Sequence, residues 1–277
     1  MGIFQGLKQI VPPSLWGFSR AGWYWVNRTA QWPSATFHPW RRASVHRLAA
    51  YKDIHRGKRC FIIGNGPSLK QTDLSRLRGE FTFGLNRIYL MFPELGFSTT
   101  YYLCVNDLVI EQTLTDILAL SIPKFLCWRS RRFVNPKILN DISTSNLPIF
   151  LHTTYTGPKF AQDARGRLWE GATVTYVALQ TAFYMGFTQV VLIGVDHNYP
   201  TKGKPNTTVV SQGDDPNHFN SSYFGKGFRW QLPDLDISER AYHLARLTYE
   251  QAGRQVIDAT IGGKLTEFSK VPYDSLF

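Results

Sequence analysis

A glycine-rich pentapeptide at residues 64–68, Gly-Asn-Gly-Pro-Ser, follows a short apolar run at residues 60–63. Such a run predicts a strand buried inside a parallel sheet. Glycine has no β-carbon, so the backbone after this strand can approach a ligand closely. A tight turn is the alternative interpretation. We favour a ligand site, because ligands of open parallel sheets bind beyond the carboxyl ends of the strands. The predicted nucleotide contacts in this loop are Gly64, Asn65, Gly66, Pro67 and Ser68.

Polar residues also follow other predicted strands. Asn86 ends the segment 81–86, Asn106 lies at the end of 99–107, and Asp196 and Tyr199 follow the apolar segment that begins at residue 189. An asparagine amide offers two donors and one acceptor, which suits a base edge or a ribose hydroxyl. A further candidate is the start of a predicted buried helix, where free N–H groups favour a phosphate. That helix start comprises Gly171, Ala172 and Thr173.

Residues 198–235, which we call the lid segment, are rich in Gly, Asn, Ser, Pro and aromatic residues. A segment of this length in a compact domain is usually a functional lid or a disordered link. It contains Asp214 and Asp215 shortly before His218, a group that could bind a metal or supply a base; an acidic turn is equally natural. Asp234 and Asp236 have the spacing found in metal-dependent glycosyltransferases, but they precede a predicted helix, so capping is favoured.

Strands and helices alternate along the chain from residue 51 onward. Apolar runs predict strands at 60–63, 81–86, 99–107, 124–128, 149–153, 189–196 and 255–260. Apolar spacing predicts helices at 108–121, 174–187 and 236–253. This alternation is typical of an α/β domain with a mostly parallel sheet.

Charge divides the 277-residue chain into two parts. The formal net charge is +11, which predicts an anionic partner. Residues 1–50 contain six basic residues, no acidic residue and five of the eight Trp. We therefore predict an N-terminal arm at 1–50 and a nucleotide-binding domain at 51–277. The arm either binds an anionic membrane surface, or packs on the domain, or packs on a second subunit. The last alternative would make the protein a homo-oligomer.

Several classes of protein are disfavoured by missing motifs. The sequence has no phosphate-binding P-loop, no Gly-x-Ser-x-Gly elbow, no dinucleotide glycine pattern, no zinc spacing and no nucleic-acid recognition motif. Cys60, Cys104 and Cys127 lie in apolar runs and are predicted to be buried thiols of a reducing compartment. The start lacks the features of a signal peptide, and no uncharged run reaches the length of a spanning helix. We therefore expect a cytoplasmic protein, with peripheral attachment to the inner face of a membrane if the arm binds lipid.

Two blocks of sequence resemble a known family. "IIGNGPSLKQTDLSRL" with "GLNRIY", and "EGATVTYVALQTAFYMGFTQVVLIGVD", resemble segments of the family 42 bacterial sialyltransferases. The chain also looks like a broader group of sialyltransferase-like domains, which includes 6-hydroxymethylpterin diphosphokinases and uncharacterised polysaccharide-biosynthesis proteins. The resemblance implies a Rossmann-like, mostly parallel sheet with helices on both faces and a lid insertion.

The resemblance also implies roles for individual residues. In the sialyltransferases the equivalents of Asn65, Gly66, Ser68, Asn86 and Asn106 hold a cytidine nucleotide, and the helix start at 171–173 contributes too. The catalytic histidine of that family is replaced here by Lys226, and the nearest lid histidine is His218. The tyrosine pair that contacts the leaving phosphate is matched loosely by Tyr199 and Tyr223.

Three functions follow as hypotheses. The first is an inverting, metal-independent glycosyltransferase that uses a CMP-linked sugar and a glycan or lipid-linked acceptor in surface polysaccharide synthesis, without a further cofactor. In this reaction His218 is the general base, and Lys226, Arg229 or Tyr223 stabilises the negative charge of the departing phosphate. The second is transfer of diphosphate from ATP to a pterin alcohol, which requires Mg²⁺ and carboxylates, with Asp107, Asp196, Asp214 and Asp215 as donors. The third is an inactive nucleotide-binding scaffold.

Overall fold

A computed structural model describes residues 26, 29–137, 146–155, 157–198 and 203–277 of the chain. The chain divides into two compact units, residues 1–42 and 43–277. Of the first unit, residues 29–37 are helical. Most of the predicted arm, including the greater part of its aromatic segment, lies outside the described residues, so its interaction with a membrane stays a prediction.

The second unit begins at residue 43, whereas the sequence predicts that the domain begins at residue 51. Helix α1 spans Pro39–Ala49. Ser44 Oγ accepts a hydrogen bond from the Phe150 N–H at 3.0 Å, and Arg47 Nη1 donates to the Leu147 carbonyl at 2.8 Å. These bonds join the second half of α1 to the rest of the α/β unit, which is why the compact unit includes residues 43–50.

A nine-stranded parallel sheet forms the centre of the second unit. Its order is β11-β10-β7-β1-β2-β3-β4-β5-β6, and β8 and β9 form a separate antiparallel pair. The strands are β1 Arg59–Ile63, β2 Thr82–Leu85, β3 Tyr101–Cys104, β4 Lys124–Cys127, β5 Ile149–Thr154, β6 Arg167–Trp169, β7 Gln189–Ile193, β8 Thr208–Val210, β9 Arg229–Gln231, β10 Gln255–Asp258 and β11 Ser269–Lys270. All seven predicted strands are confirmed, and the fold is a Rossmann-like α/β fold.

The order of the sheet contains one topological switch point. From β1 the chain adds β2 to β6 on one side, and then returns to place β7 on the other side of β1. The residues of β2, β3 and β4 are buried throughout, as expected for strands of a parallel sheet that is covered on both faces. The loops after β1 and β7 therefore diverge at the carboxyl edge of the sheet, where ligands of such folds bind.

Within the described residues, four further α-helices accompany the sheet: α2 Phe92–Leu95, α3 Asp107–Ala119, α4 Val174–Tyr184 and α5 Leu235–Gln251. Helix α4 packs against β1, β2 and β3, and from Thr175 to its end every residue is buried, as the apolar sequence predicts. Asp234 caps α5 by accepting from the Ile237 N–H at 3.2 Å, so the capping interpretation is confirmed. No helix in the described parts of the chain is long and apolar enough to cross a membrane.

Candidate functional site

The glycine-rich loop after β1 packs directly on the loop after β7. The Gly64 N–H donates to the Ile193 carbonyl at 2.8 Å, and the Gly66 N–H donates to the Gly194 carbonyl at 2.9 Å. A β-carbon on Gly64 would overlap the Gly194 carbonyl, and one on Gly66 would overlap the Asp196 carboxylate. Gly64 is thus required by the close approach of two backbone segments at the switch point, and Gly66 by the position of the Asp196 carboxylate.

Asp196 and Ser68 bind each other rather than facing outward. The Asp196 carboxylate accepts from the Ser68 N–H at 3.1 Å and from Ser68 Oγ at 2.7 Å. Its backbone carbonyl accepts from the Lys264 N–H at 2.8 Å. Asp196 therefore fixes the shape of the loop. Pro67 starts the short 3₁₀ helix Pro67–Gln71, which carries the chain away from the loop.

A cavity of about 190 Å³ opens at the switch point. Nine of the predicted site residues line it: Gly64, Asn65, Gly66, Asn86, Asn106, Ala172, Thr173, Asp196 and His218. Six others do not: Pro67, Ser68, Gly171, Tyr223, Lys226 and Arg229. Tyr199 lies outside the described residues. The structure thus brings together residues from six separate segments of the sequence.

The three asparagines reach the cavity in different ways. Asn65 is 8% exposed, and its Oδ1 is buried without a hydrogen-bond partner among the described residues. Asn86 has a positive φ of 48°, and its Oδ1 accepts from the Cys104 thiol at 3.3 Å. Asn106 caps α3, with its Oδ1 accepting from the Leu108 N–H at 3.0 Å. Of the three carboxamides, that of Asn65 has no hydrogen-bond partner among the described residues. A buried acceptor without a partner is costly, so this oxygen is available to a ligand.

The chain enters α4 through two residues with left-handed backbone, of which Ala172 lines the cavity. Gly171 and Ala172 have φ values of 51° and 58°. A β-carbon at Gly171 would lie 2.5 Å from that of Ala241 on α5, so only glycine fits there. Thr173 caps the helix by accepting from the Thr175 N–H at 3.3 Å. This turn aims the amino terminus of α4 into the cavity, with its positive dipole end toward the ligand.

His218 is held in a fixed orientation at the cavity. Its Nδ1 is 2.7 Å from Oδ2 of the buried Asp215, and its ring stacks on Tyr223 with centroids 3.9 Å apart. Burial would raise the pKa of Asp215, but hydrogen bonds from His218 and Asn217 outweigh burial and lower this pKa below its usual value. A carboxylate at Nδ1 places the proton there, so Nε2 is left as an acceptor. Nε2 has no partner among the described residues.

The lid segment is fastened to the sheet at its described residues, 198 and 203–235. The Phe219 N–H donates to the Asn65 carbonyl at 3.0 Å. Arg87, at the end of β2, donates through Nη1 to the Ser222 and Tyr223 carbonyls. Gln112 of α3 pairs with the backbone of Arg229 on β9 in both directions. These bonds explain how a segment without long helices or strands holds His218 in place.

The three groups proposed to steady a leaving phosphate are placed elsewhere. Tyr223 is fully buried, and its hydroxyl accepts from the Arg87 N–H at 3.2 Å. Arg229 is paired with Glu111 at 3.0 Å, outside the cavity lining. Lys226 is exposed in a turn and does not line the cavity either. The structure does not bring these three side chains to the ligand space, so a phosphate there needs other contacts.

The carboxylates considered as metal ligands are bound to other side chains or exposed to solvent. Asp107 is paired with Arg129 at 3.3 Å and Arg132 at 3.1 Å. Asp196 binds Ser68, as described above, and Asp214 is exposed. Over the described ranges, no three His, Cys, Asp or Glu side chains are grouped closely enough to hold a metal ion.

Two pairs in the cavity wall were not predicted. Glu170, buried in the wall, pairs with Arg129 behind it and accepts from Thr153 Oγ1 at 2.6 Å. His197 lines the cavity with its Nε2 3.0 Å from Oε1 of Glu239 on α5. His197 could have been found, because it directly follows Asp196 at the end of a predicted strand. Its partner Glu239 is distant in sequence and carries no motif.

The fold and the cavity together define the class of protein, which is a Rossmann-like α/β domain with a cavity at its switch point. The chain belongs to the MptE-like family, because the model of the family described as "6-hydroxymethylpterin diphosphokinase MptE-like" matches residues 40–202. This confirms the resemblance to the broader group that includes the 6-hydroxymethylpterin diphosphokinases. No curated protein sequence gives a significant match.

A solved structure with similarity to the chain is that of the MAf glycosyltransferase from Magnetospirillum magneticum AMB-1. The sequence identity is 14% and the TM-score is 0.49. The similarity covers 84% of this chain and 38% of the glycosyltransferase chain. The chain therefore spans well under half the length of that protein.

Proposed function

We propose that the chain is a glycosyltransferase that transfers a sugar from a CMP-type donor to a hydroxyl of a glycan or lipid-linked acceptor in surface polysaccharide or glycan synthesis. One observation carries the proposal. His218, oriented by Asp215, lines the same cavity as the glycine-rich loop of the switch point. A base and a nucleotide-type loop around one cavity are what sugar transfer to a hydroxyl requires.

The chemistry proposed for His218 is general base catalysis. Its Nε2 takes the proton of the acceptor hydroxyl while the hydroxyl oxygen forms a bond to the anomeric carbon of the donor. The bond from that carbon to the phosphate oxygen breaks at the same time, and the nucleotide leaves with the electron pair. Attack opposite to the leaving group inverts the anomeric centre. Asp215 balances the imidazolium that forms, and no metal is needed for these steps.

The charge of the cavity favours a nucleotide with few phosphates. Among the described residues that line it there is no Lys and no Arg. A diphosphate or triphosphate without cationic partners would be poorly compensated, whereas a single phosphate can be bound by a helix amino terminus and a histidine. This supports a CMP-linked donor over a donor or substrate with more phosphate groups.

The second candidate is diphosphate transfer from ATP to a hydroxymethylpterin or a similar alcohol, and the description of the family supports it. This reaction uses Mg²⁺ held between carboxylates and phosphates. Of the four carboxylates suggested for it, Asp107 and Asp215 are bound to basic side chains and Asp196 to Ser68. We rank it second for that reason.

A thermal-shift experiment separates the two candidates. Purified protein is heated with CMP, CDP, UDP, GDP or ATP, each with and without Mg²⁺. A ligand at about 100 times its Kd stabilises the native state by about 2.7 kcal/mol, so a shift of several degrees is expected for CMP without metal. A shift with Mg²⁺-ATP alone would replace the proposal by the second candidate.

Two variants complete the experiment. Asn65→Ala removes the unpartnered carboxamide and is expected to abolish most of the CMP shift without lowering the melting temperature of the free protein. His218→Asn is expected to bind CMP normally and to lose sugar transfer by at least a hundredfold. A chain that binds no nucleotide in the panel contradicts the proposal.

A further inference from the structure

The cavity is poor in positive charge although the chain as a whole is strongly basic. The chain contains 31 Lys and Arg in total and has a net charge of +11. Within the described lining of the cavity, the side chains able to carry a positive charge are His197 and His218. Within the described lining, a cationic contact to a phosphate in this cavity must therefore come from one of these two histidines.

The acidic side chains of the lining are already engaged. Glu170 is neutralised by Arg129 behind it. Asp196 accepts two hydrogen bonds from Ser68. Asp234 caps α5 through one oxygen, and its other oxygen is 3.4 Å from Nδ2 of Asn206. These three carboxylates are held in the wall by their partners, so within the described lining only the two histidines can offer a positive charge to an anion.

His197 is placed by its backbone and by α5. It has a positive φ of 52°, an uncommon conformation for a non-glycine residue. Its side chain is 8% exposed, and its Nε2 is 3.0 Å from Oε1 of Glu239, whose side chain is 61% exposed. Glu239 therefore fixes the ring from the solvent side. Nδ1 has no partner among the described residues.

His197 also lies at the same corner of the cavity as the start of α4. The centroids of the His197 and Tyr242 rings are 6.1 Å apart, and the two rings meet edge to face. The hydroxyl of Tyr242 is 3.4 Å from Oγ1 of Thr173, the residue that caps α4. One tyrosine thus connects the imidazole and the positive end of the helix. His218 is committed to Asp215 and to the stack on Tyr223, and belongs to the lid segment instead.

We propose that His197, oriented by Glu239, is the cationic contact of the nucleotide phosphate in this cavity. An imidazolium donates from both nitrogens, so it can bind Glu239 through Nε2 and a phosphate oxygen through Nδ1. The two histidines then have separate tasks, with His218 acting on the acceptor hydroxyl and His197 on the phosphate. The inference rests on the proposed nucleotide site and names the residue that gives it selectivity for a phosphorylated ligand.

Calorimetric titrations with CMP and with cytidine test the inference, because the two ligands differ by the phosphate alone. The variant is His197→Asn, since asparagine tolerates the left-handed conformation of this position. We expect it to lower CMP affinity at least tenfold and to change cytidine affinity less than twofold. Glu239→Gln alters an exposed group and is expected to lower CMP affinity in the same direction by a smaller factor.

The matched control is His243→Asn. His243 lies on α5 and, like His197, is paired with a glutamate, in this case Glu267 at 3.0 Å. It does not line the cavity. Its CMP and cytidine affinities should equal those of the parent. Equal CMP affinity in parent and His197→Asn overturns the inference and leaves the proposed function standing, as does an equal loss for CMP and cytidine. A parent chain that binds neither ligand overturns both.

Discussion

The imidazole of His218 lies flat on the phenol ring of Tyr223, with centroids 3.9 Å apart and an angle of 8° between the planes. Tyr223 is itself fixed by Arg87, which donates its N–H to the tyrosine hydroxyl and its Nη1 to the tyrosine carbonyl. Arg87 directly follows Asn86 at the end of β2. The sheet edge that carries the predicted nucleotide contacts therefore also supports the proposed base.

This stack predicts different outcomes for two substitutions of Tyr223. Tyr223→Phe keeps the ring and loses one hydrogen bond, so we expect a cost of about 1 kcal/mol and a transfer rate within threefold of the parent. Tyr223→Leu removes the platform, and we expect a rate at least tenfold lower with CMP affinity unchanged. Initial rates and calorimetry measure both. Equal rates for the two variants would show that the stack does not position His218.

Asp215 should contribute to stability in a pH-dependent way. Its pKa is lower in the folded state than in the unfolded chain, because the hydrogen bonds from His218 and Asn217 outweigh the opposing effect of burial. The unfolded state therefore binds the proton first as the pH falls. The stabilisation is complete above the unfolded value of about 4 and is lost as the pH falls through the folded value.

The variant Asp215→Asn tests this directly, with Asp214→Asn as its matched control because Asp214 is the exposed neighbour. At pH 7 we expect Asp215→Asn to lower the free energy of unfolding by about 2 kcal/mol and the control to change it by less than about 0.5 kcal/mol. Urea unfolding at pH 7 and pH 3 gives the values. A deficit as large at pH 3 as at pH 7 would refute the assignment.

The sequence was sufficient to predict the sheet and the site residues at the carboxyl ends of its strands. Long apolar runs such as 189–196 mark buried parallel strands, and the polar residues after them must lie at one edge. Asn65, Asn86 and Asn106 are all found at the cavity for this reason. The strands that were missed, such as β8 and β11, have two or three residues and no apolar run, so their pairing depends on tertiary contacts.

The wall of the site was harder to predict, because contacts distant in sequence decide which way each side chain points. Tyr223, Lys226 and Arg229 lie within seven positions of one another, yet one is buried, one is in an exposed turn and one is paired with Glu111. No periodic pattern in the lid segment distinguishes them. The pairing of His197 with Glu239 could not be predicted, because Glu239 is 42 positions away on another element.

Gly66 should be intolerant of any side chain. A β-carbon there would overlap the carboxylate of Asp196, which is held by two hydrogen bonds from Ser68. We expect Gly66→Ala to lower the free energy of unfolding by about 1–3 kcal/mol, because the loop or the carboxylate must move, and to weaken CMP binding. Gly157→Ala is the control, since nothing lies within 4 Å of its added β-carbon. Urea unfolding that finds the two variants equal would contradict the packing argument.

Lys124 is a buried cation at the start of β4. Its side chain is fully buried, and its Nζ donates to the Asn146 carbonyl at 2.7 Å. Burial, with a smaller contribution from Arg47, lowers its pKa to about 8. An unfolded lysine has a pKa of about 10.4, so between about pH 8 and 10.4 the unfolded chain binds more protons than the folded one. Stability must therefore rise with pH across this window, and below it the cost of burying the charge is felt in full.

The variant Lys124→Met removes this charge and keeps a side chain of similar length. At pH 7 we expect the free energy of unfolding to rise by about 1–2 kcal/mol, since a buried ammonium bound to one carbonyl is replaced by an apolar group. The gain should shrink as the pH rises from 8 and vanish near pH 11, where the parent lysine is neutral in both states. Lys58→Met, at an exposed position, serves as the control and should change stability by less than about 0.5 kcal/mol at every pH. Urea unfolding of the three proteins at pH 7, 9 and 11 measures these values, and a variant less stable than the parent at pH 7 would show that the bond to Asn146 outweighs the cost of burial.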